Sequence, residues 1–400
     1  MSGIATLKPS QPARLLPRRP KPYRHEPPYH IILGSHGWYR GGVETIHVEL
    51  ARKLPRDQFK VSVLVAKGGE GPGLPEDVDM IVSPAMFEGK VRPTRQEEMR
   101  AGVAARRYLA ELRPDVFVGA LAHGAFIGAS LVVPLVVEYW HGWCPQNALE
   151  HNSHAVVAVS QWSMEVCAQR RHSLPPPERR RVIYNGVDAD RFRYSAVARH
   201  RLRAGLECDH LVGFVGRIAP EKNPVEWLHA FASIRRAMAP KRVVGVLLGG
   251  EYRADVAAET WGVAAELGLE RGVDVLHWDV PLVEMPDHYS ALDLCMHTAN
   301  SEGFGMVLPE ALLCRCPVIA YGVGGIPEVG RMAGDAMDVL PEADRQGLVD
   351  AAQTRLQSGR LSARMRDGLA DVFSSARMVR EFSEFMLELI DAHADEEAGS

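Results

Sequence analysis

The chain has 400 residues, of which 46% are hydrophobic and 24% are charged, and its formal net charge at pH 7 is −4. This length and composition are typical of a globular protein with two domains. The small net charge excludes a general electrostatic attraction to nucleic acid or to anionic membranes, so any such partner would have to bind a local basic patch.

The clearest basic patch is the N-terminal tail, residues 1–28. Six cations lie between Lys8 and Arg24, interleaved with prolines, and the first acidic residue is Glu26. Prolines lack a backbone donor and a run of like charges resists burial, which favours a disordered tail over a contact with acidic lipids. The tail lacks the apolar core of a secretory signal, and apolar stretches elsewhere are shorter than the ~20 residues that span a bilayer.

The six cysteines are scattered and show no paired spacing, which is typical of reduced thiols. We therefore expect a cytoplasmic protein, with at most a peripheral contact at the inner membrane surface and no nucleic-acid partner.

Strands and helices alternate along the first half of the chain. The apolar patterns predict strands at residues 29–34, 60–66, 116–119, 135–139 and 155–159, and helices at residues 43–54 and 97–112. Alternation of this kind is typical of an α/β fold with a doubly wound parallel sheet.

A polar, arginine-rich stretch from Asn185 to Arg203 interrupts this alternation and is interpreted as a linker. A second series follows it. We predict strands at residues 210–216, 243–248, 273–277, 292–296 and 317–320, and helices at residues 225–238, 256–267, 285–290 and 309–314. The predicted fold is therefore two Rossmann-like domains, residues 29–200 and 208–372, that face each other across a cleft, with ligands at the carboxyl ends of the strands.

The strongest candidate site lies around Glu302 and Glu310, which stand eight positions apart. Between them, Gly303 and Gly305 allow the backbone to approach a ligand closely, and Pro309 suits the first position of a helix. Free amides at that helix start could bind an anion or sugar hydroxyls. A surface loop followed by a helix-start glutamate would explain each residue singly, but the combination favours a ligand site.

A second candidate follows the strand that ends at Gly216. Arg217 and Lys222 stand five positions apart before the next helix, where two fixed cations suit a diphosphate group. Fixed cations in a dry site stabilise the negative charge of such a group without a metal ion. The alternative is a solvated cation pair beside Glu221.

These two segments resemble motifs of the retaining glycosyltransferase family 4, which has the GT-B fold. Glu302 and Glu310 match the EX7E motif, within a stretch that fits the family pattern to Val329, and Arg217 and Lys222 match the GR…EK segment. The resemblance implies metal-independent transfer of a sugar, with retention, from a nucleotide diphosphate donor that is most commonly linked to UDP. It assigns the diphosphate to Arg217 and Lys222, the donor sugar to Glu302 and the ribose to Glu310.

The same resemblance covers further positions. Gly41 and Gly42 match the GGxE loop, and His141, after a buried strand, matches the active-site histidine that supports the donor sugar or the transition state. The donor loop would also include Gly303, Phe304, Gly305, Met306 and Val307. The final amphipathic helix, residues 373–392, is expected to pack on the N-terminal domain. His123 and Trp143 are weaker candidates for the acceptor side.

Two features depart from the family or compete with it. Asn223-Pro224 stands where a glycine often follows the lysine, which changes the helix start more than the charge. The aspartate pairs Asp188/Asp190 and Asp77/Asp79 match a metal-binding DxD spacing, but two aspartates are too few for an oxygen-only site. We expect neither a metal ion nor a cofactor.

The expected reaction is a front-face substitution in which the departing phosphate helps to deprotonate the acceptor hydroxyl. The acceptor stays open between a saccharide, a lipid-linked glycan and a small metabolite. The alternatives to a glycosyltransferase are a GT-B phosphorylase or synthase and a non-catalytic subunit that binds a nucleotide sugar.

Overall fold

The computed structural model describes residues 26–69, 71–82, 95–120, 123–142, 153–171 and 173–398. The chain divides into an N-terminal unit, which comprises residues 1–184 and 376–400, and a C-terminal unit, residues 185–375. Residues 1–25 of the basic tail lie outside the described ranges, as does Trp143.

A seven-stranded parallel sheet forms the centre of the N-terminal unit. Its strands are β1 (Tyr29–Gly37), β2 (Phe59–Lys67), β3 (Asp79–Val82), β4 (Val116–Ala120), β5 (Leu135–Trp140), β6 (Ala155–Ala158) and β7 (Arg180–Val182). They lie in the order β3-β2-β1-β4-β5-β6-β7. The helices are α1 (Gly42–Lys53), α2 (Arg95–Leu112), α3 (His123–Ala129) and α4 (Gln161–Ala168).

The central strands are apolar because helices cover the sheet. β4 and β5 are buried over their whole length, as expected for parallel strands that are covered on both faces. On one face, α2 and α3 enclose a core that includes Phe117 and Phe126. Gly128 lets these two helices approach closely, since a Cβ atom there would lie 2.4 Å from the carbonyl oxygen of Gly102.

A six-stranded parallel sheet forms the centre of the C-terminal unit, in the order β10-β9-β8-β11-β12-β13. Its strands are β8 (His210–Val215), β9 (Val243–Leu248), β10 (Val275–Trp278), β11 (Leu294–His297), β12 (Val318–Tyr321) and β13 (Met337–Leu340). The helices are α5 (Ala196–Arg203), α6 (Pro224–Ala237), α7 (Ala254–Glu266), α8 (Met285–Ala291), α9 (Val307–Leu313), α10 (Ile326–Ala333), α11 (Arg345–Ser358) and α12 (Ala363–Val372).

The last helix, α13 (Ser375–Ala398), packs within the N-terminal unit. Its apolar face is buried, and the ring of Phe382 stacks on that of Tyr139 with centroids 6.0 Å apart. At the sheet edge Arg181 donates to Glu388 at 2.6 Å and lies 4.7 Å from the ring centroid of Phe385. This helix therefore closes the core of the unit from the far end of the sequence.

The structure confirms the predicted α/β class with two Rossmann-like parallel sheets. The segment from Asn185 to Arg203, which the sequence suggested to be a linker, belongs to the C-terminal unit, because the two units divide between Tyr184 and Asn185. The arginine-rich residues form α5, which packs on α8, and its Arg199 pairs with Asp293 at 2.6 Å. Asp293, whose side chain is 12% exposed, also pairs with Arg203 and so balances two charges of this segment.

Replacement of Phe382 by alanine tests the contribution of α13. Loss of a wholly buried ring should lower the free energy of unfolding of the N-terminal unit by about 3–5 kcal/mol. Hydrogen-exchange mass spectrometry should then show faster exchange in β5 and unchanged exchange in β9. The exposed Glu384 on the same helix provides the control Glu384→Ala, and equal exchange in the two variants would contradict the prediction.

Candidate functional site

The C-terminal sheet reverses its strand order between β8 and β11, which are neighbours in space. Loops that follow such neighbouring strands run in opposite directions and leave a crevice at the carboxyl edge of the sheet. Lys222 ends a short 3-10 turn that begins at Pro220 after β8, and Glu302 follows β11. The reversal therefore brings together two residues that are 80 positions apart.

Lys222 and Glu302 form an ion pair through Lys222 Nζ and Glu302 Oε2. Their side chains are only 18% and 15% exposed, so neither charge is well solvated. His297, the last residue of β11, lies with its Nε2 atom 3.4 Å from the same carboxylate oxygen. Burial alone raises the pKa of Glu302, but Lys222 and His297 outweigh burial and hold that pKa at about 2.

Glycines hold the backbone of Glu302 in place. Gly324 has a φ of 58°, and a Cβ atom there would lie 2.0 Å from the carbonyl oxygen of Glu302. The next residue, Gly325, donates its N–H to that same oxygen at 2.9 Å. Gly305 has a φ of 84° at the turn that leads into α9. The loop after β11 and the loop after β12 therefore meet at Glu302.

Glu310 lies in the first turn of α9 and accepts a hydrogen bond from the hydroxyl of Tyr289 at 2.8 Å. Burial raises the pKa of Glu310 to about 7, although the Tyr289 hydrogen bond and the charge of Arg191 act in the opposite direction. The carboxyl group is thus ionised in only part of the molecules near neutral pH. Tyr289 was not among the residues predicted from the sequence, and it lies on the buried face of α8.

Arg217 is 47% exposed and follows β8. It donates to Glu221 at 2.9 Å, and its guanidinium lies 4.5 Å from the ring centroid of Tyr252. The structure therefore places this cation between a carboxylate and an aromatic ring, whereas Lys222 is the cation that contacts Glu302.

The sequence departure at Asn223 has a structural explanation. Asn223 adopts a left-handed conformation with a φ of 52°, which glycine favours and asparagine tolerates best among the other residues. Its side chain also accepts a hydrogen bond from the N–H of Glu226 at 3.3 Å and so caps α6. Asparagine thus provides the turn that a glycine would provide, and it orders the helix after Lys222.

The other predicted donor-loop residues are placed as follows. Gly303 and Phe304 precede Gly305, and Phe304 is 2% exposed, so its side chain belongs to the core. Met306 and Val307 are partly buried. Helix α9 begins at Val307, two residues before the predicted start at Pro309.

In the N-terminal unit, Gly41 precedes α1 and Gly42 is its first residue. Gly41 lies so close to the carboxylate of Glu44 that a Cβ atom would be 2.5 Å from Oε2. The Glu44 side chain, which is buried, therefore folds back toward the start of the helix.

His141 follows β5, as predicted, and packs against two other polar rings. Its ring centroid lies 4.3 Å from that of Tyr139 and 6.3 Å from that of His47. Burial, followed by the charge of His47, lowers the pKa of His141 to about 3, and burial lowers the pKa of His47 to about 4. Both imidazoles are therefore neutral near pH 7.

His47 was not among the residues predicted from the sequence, although it lies four residues after Val43 on the apolar side of α1. Its position on the buried face was the available signal. The weaker acceptor candidate His123 is the first residue of α3, and its side chain lies outside the description.

The DxD matches have structural roles. Asp188 accepts hydrogen bonds from the N–H groups of Asp190 and Arg191, at 3.1 and 3.2 Å, and so closes a turn. Asp77 pairs with Arg56 at 2.5 Å. Within the described ranges, no group of three or more histidine, cysteine, aspartate or glutamate side chains could hold a metal ion. None of the helices described is long and apolar enough to cross a membrane.

Two family models match the chain. The model "Glycosyl transferases group 1" matches residues 203–368, and "Glycosyltransferase Family 4" matches residues 40–191. The first segment includes β8 to β13 of the C-terminal sheet and contains the Lys222–Glu302 pair, and the second includes β2 to β7 of the N-terminal sheet.

Curated relatives carry the name D-inositol 3-phosphate glycosyltransferase. The protein of Thermobispora bispora is 34% identical over 195 residues, which cover 47% of this chain and 45% of that protein. A protein of Catenulispora acidiphila is 29% identical over 322 residues, which cover 72% of this chain and 75% of that protein. In several such matches the chain spans less than half the length of the relative.

Solved structures share the fold at low identity. Anabaena HepE in complex with UDP and glucose has a TM-score of 0.71 and 19% identity, and covers 90% of this chain and 99% of its own. Sucrose-phosphate synthase from Thermosynechococcus elongatus has a TM-score of 0.71 and 18% identity, and covers 91% and 100%.

Replacement of Gly324 by alanine tests the contact with Glu302. Alanine at a positive φ costs about 1–2 kcal/mol, and the clash with a backbone oxygen should add about 1–3 kcal/mol. Gly268 has a φ of 70° and open space around it, so Gly268→Ala is the matched control for backbone strain alone. Urea unfolding should show a larger loss for Gly324→Ala, and equal losses would contradict the clash.

Replacement of Glu310 by glutamine tests its raised pKa. The folded protein favours the protonated form of Glu310, because the pKa of this group rises from 4.5 to about 7 on folding. The contribution of Glu310 to the free energy of unfolding is therefore fully present below pH 4.5 and is lost as the pH rises through 7. Relative to Glu310→Gln, the wild type should therefore lose about 2–3 kcal/mol of unfolding free energy between pH 5 and pH 8. Urea unfolding at pH 5 and pH 8 measures the difference, with the exposed Glu342→Gln as control. A difference that does not change with pH would refute it.

Proposed function

The chain belongs to the family 4 glycosyltransferases of the GT-B fold, and we propose that it transfers a sugar from a nucleotide diphosphate sugar to an acceptor hydroxyl, with retention and without a metal ion. The observation that carries the proposal is the Lys222–Glu302 pair at the strand-order reversal. Family membership supplies the reaction class, and this pair supplies a cation and a carboxylate where ligands of such sheets bind.

Lys222 is the proposed contact for the donor diphosphate. Its long side chain carries a compact charge with three donors, which suits phosphate oxygens. Arg217 is proposed as the second phosphate cation, since it is half-exposed and its contacts with Glu221 and Tyr252 orient its guanidinium. Two such cations would stabilise the negative charge that develops on the leaving group, which is the basis for proposing independence of metal ions.

Glu302 is the proposed contact for the donor sugar. Its pKa of about 2 keeps the carboxylate ionised at neutral pH, so it can accept hydrogen bonds from sugar hydroxyls. Glu310 is proposed to hold the ribose in the same way. Ribose hydroxyls that donate to its ionised form would favour that form, and so binding should lower the pKa of Glu310.

In the proposed reaction, the bond between the anomeric carbon and the diphosphate oxygen breaks, and the acceptor oxygen attacks the same face of the sugar. The acceptor proton passes to the departing phosphate oxygen, so no carboxylate acts as nucleophile. His141 is proposed to support the reacting sugar through a neutral imidazole, because its pKa is about 3.

UDP is the proposed nucleotide, in line with the family resemblance and with HepE, whose structures contain UDP and UDP-glucose. The acceptor is proposed to be a hydroxyl of a saccharide, a lipid-linked glycan or a small metabolite. D-inositol 3-phosphate, which the relatives' names specify, is one small metabolite to test. The five cysteines described as free thiols favour a cytoplasmic location, in solution or at the inner membrane surface.

Turnover of nucleotide sugars tests the proposal. The purified protein should hydrolyse or transfer from one member of a panel of UDP, GDP and ADP sugars, and Lys222→Met should lower kcat/KM about 100-fold or more. Lys241 is an exposed lysine of the same unit, so Lys241→Met is the matched control and should retain activity.

The other outcomes distinguish the alternatives. Proton NMR should show the product with the anomeric configuration of the donor, and chelation with EDTA should leave the rate unchanged. Turnover only with inorganic phosphate would instead indicate a phosphorylase. Binding of a nucleotide sugar without any turnover would indicate a non-catalytic subunit.

A further inference from the structure

His297 lies at the centre of an unusual arrangement, in which two nitrogen atoms face one carboxylate oxygen. Lys222 Nζ pairs with Glu302 Oε2, and His297 Nε2 lies 3.4 Å from that atom. The His297 side chain is 2% exposed, and its Nε2 atom has no hydrogen-bond partner among the described residues. A buried polar atom without a partner costs free energy, so the position of this atom needs an explanation.

In the proposed function, Lys222 binds the donor diphosphate, which is a second anion besides Glu302. When the ammonium group turns to the donor diphosphate, its contact with Glu302 weakens. Glu302 is only 15% exposed, and a buried carboxylate that loses its cation is strongly destabilised. Some other donor must then hold the carboxylate in place while it binds the sugar.

On the basis of the proposed function, we propose that His297 is a positioning residue. It donates a hydrogen bond to Glu302 and holds the carboxylate in place when Lys222 turns to the donor diphosphate. A shift of less than about half an ångström would bring Nε2 within ordinary hydrogen-bond distance of Oε2. The role requires only the neutral tautomer that carries a proton on Nε2. In the free protein, Lys222 Nζ pairs with Glu302 Oε2, and His297 Nε2 lies just beyond ordinary hydrogen-bond distance of it.

The charges around His297 agree with this exchange. Burial is the main cause that lowers the pKa of His297, and the positive charge of Lys222 lowers it further, while Glu302 raises it. As Lys222 moves toward phosphate, its effect on the imidazole falls and the effect of Glu302 remains. The hydrogen bond from Nε2 to Glu302 therefore strengthens when the carboxylate most needs a donor.

Kinetics of two His297 variants test the role in turnover. His297→Leu removes the donor, whereas His297→Gln places an amide N–H near the position of Nε2. We expect His297→Leu to lower kcat for the donor about tenfold, as for loss of a hydrogen bond to a charged group. The dissociation constant of UDP, which lacks the sugar, should change less than about twofold. His297→Gln should recover most of kcat.

A matched control is available on the neighbouring strand. His210 is the first residue of β8 and lies at the amino end of the sheet, whereas His297 lies at the carboxyl end. Its Nε2 atom is also buried without a partner among the described residues. His210→Leu and His210→Gln should therefore leave kcat and UDP affinity unchanged.

A thermal-unfolding cycle without nucleotide tests the shared oxygen independently of turnover. Because His297 and Lys222 can each hold Glu302, the decrease in Tm for Lys222→Met combined with His297→Leu should exceed the sum of the two single decreases. If the wild type binds UDP but the decreases in Tm are additive, the proposed role of His297 would be overturned and the proposed function would not. Equal kcat for wild type and His297→Leu, or equal loss of kcat in His297→Gln and His297→Leu, would overturn the same role. Absence of UDP binding in the wild type would overturn the proposed function and, with it, the proposed role of His297.

Discussion

The ion pair between Lys222 and Glu302 joins the ends of two neighbouring strands, β8 and β11, at the point where the sheet reverses its order. A carboxylate that is 15% exposed needs a cation, and the loop after β8 supplies it. The surrounding backbone is adapted to this pair. Asn223 turns the chain after Lys222 in a left-handed conformation, and Gly324 lets a second loop approach the carbonyl group of Glu302.

The site keeps several groups in states that do not favour stability. Glu310 is held with a pKa of about 7, His297 Nε2 is buried without a hydrogen-bond partner among the described residues, and the non-glycine residue Asn223 has a positive φ angle. Perturbed pKa values and strained backbone cluster at functional sites, where the rest of the fold outweighs their cost. The continuous apolar strands of the two sheets supply that stability.

The N-terminal unit repeats the principle with different chemistry. The rings of His47 in α1 and Tyr139 in β5 both lie near that of His141, and both imidazoles stay neutral. Tyr139 also stacks on Phe382 of α13, so the end of the chain contacts this cluster of rings. The Lys222–Glu302 cluster is thus charged, whereas the two imidazoles of this ring cluster are neutral.

The order of apolar segments in the sequence was enough to predict two parallel sheets, because buried parallel strands must be apolar on both faces. The resemblance to family motifs singled out Lys222, Glu302, Glu310 and His141 as candidates, and their roles in binding and turnover stay predictions. Sequence could not reveal that Arg199 of the supposed linker pairs with Asp293, or that Phe304 belongs to the core. The shared contact of Lys222 and His297 with one oxygen was equally hidden, since it joins positions 80 and 5 residues from Glu302. Contacts between distant segments depend on strand order, which only the tertiary structure decides.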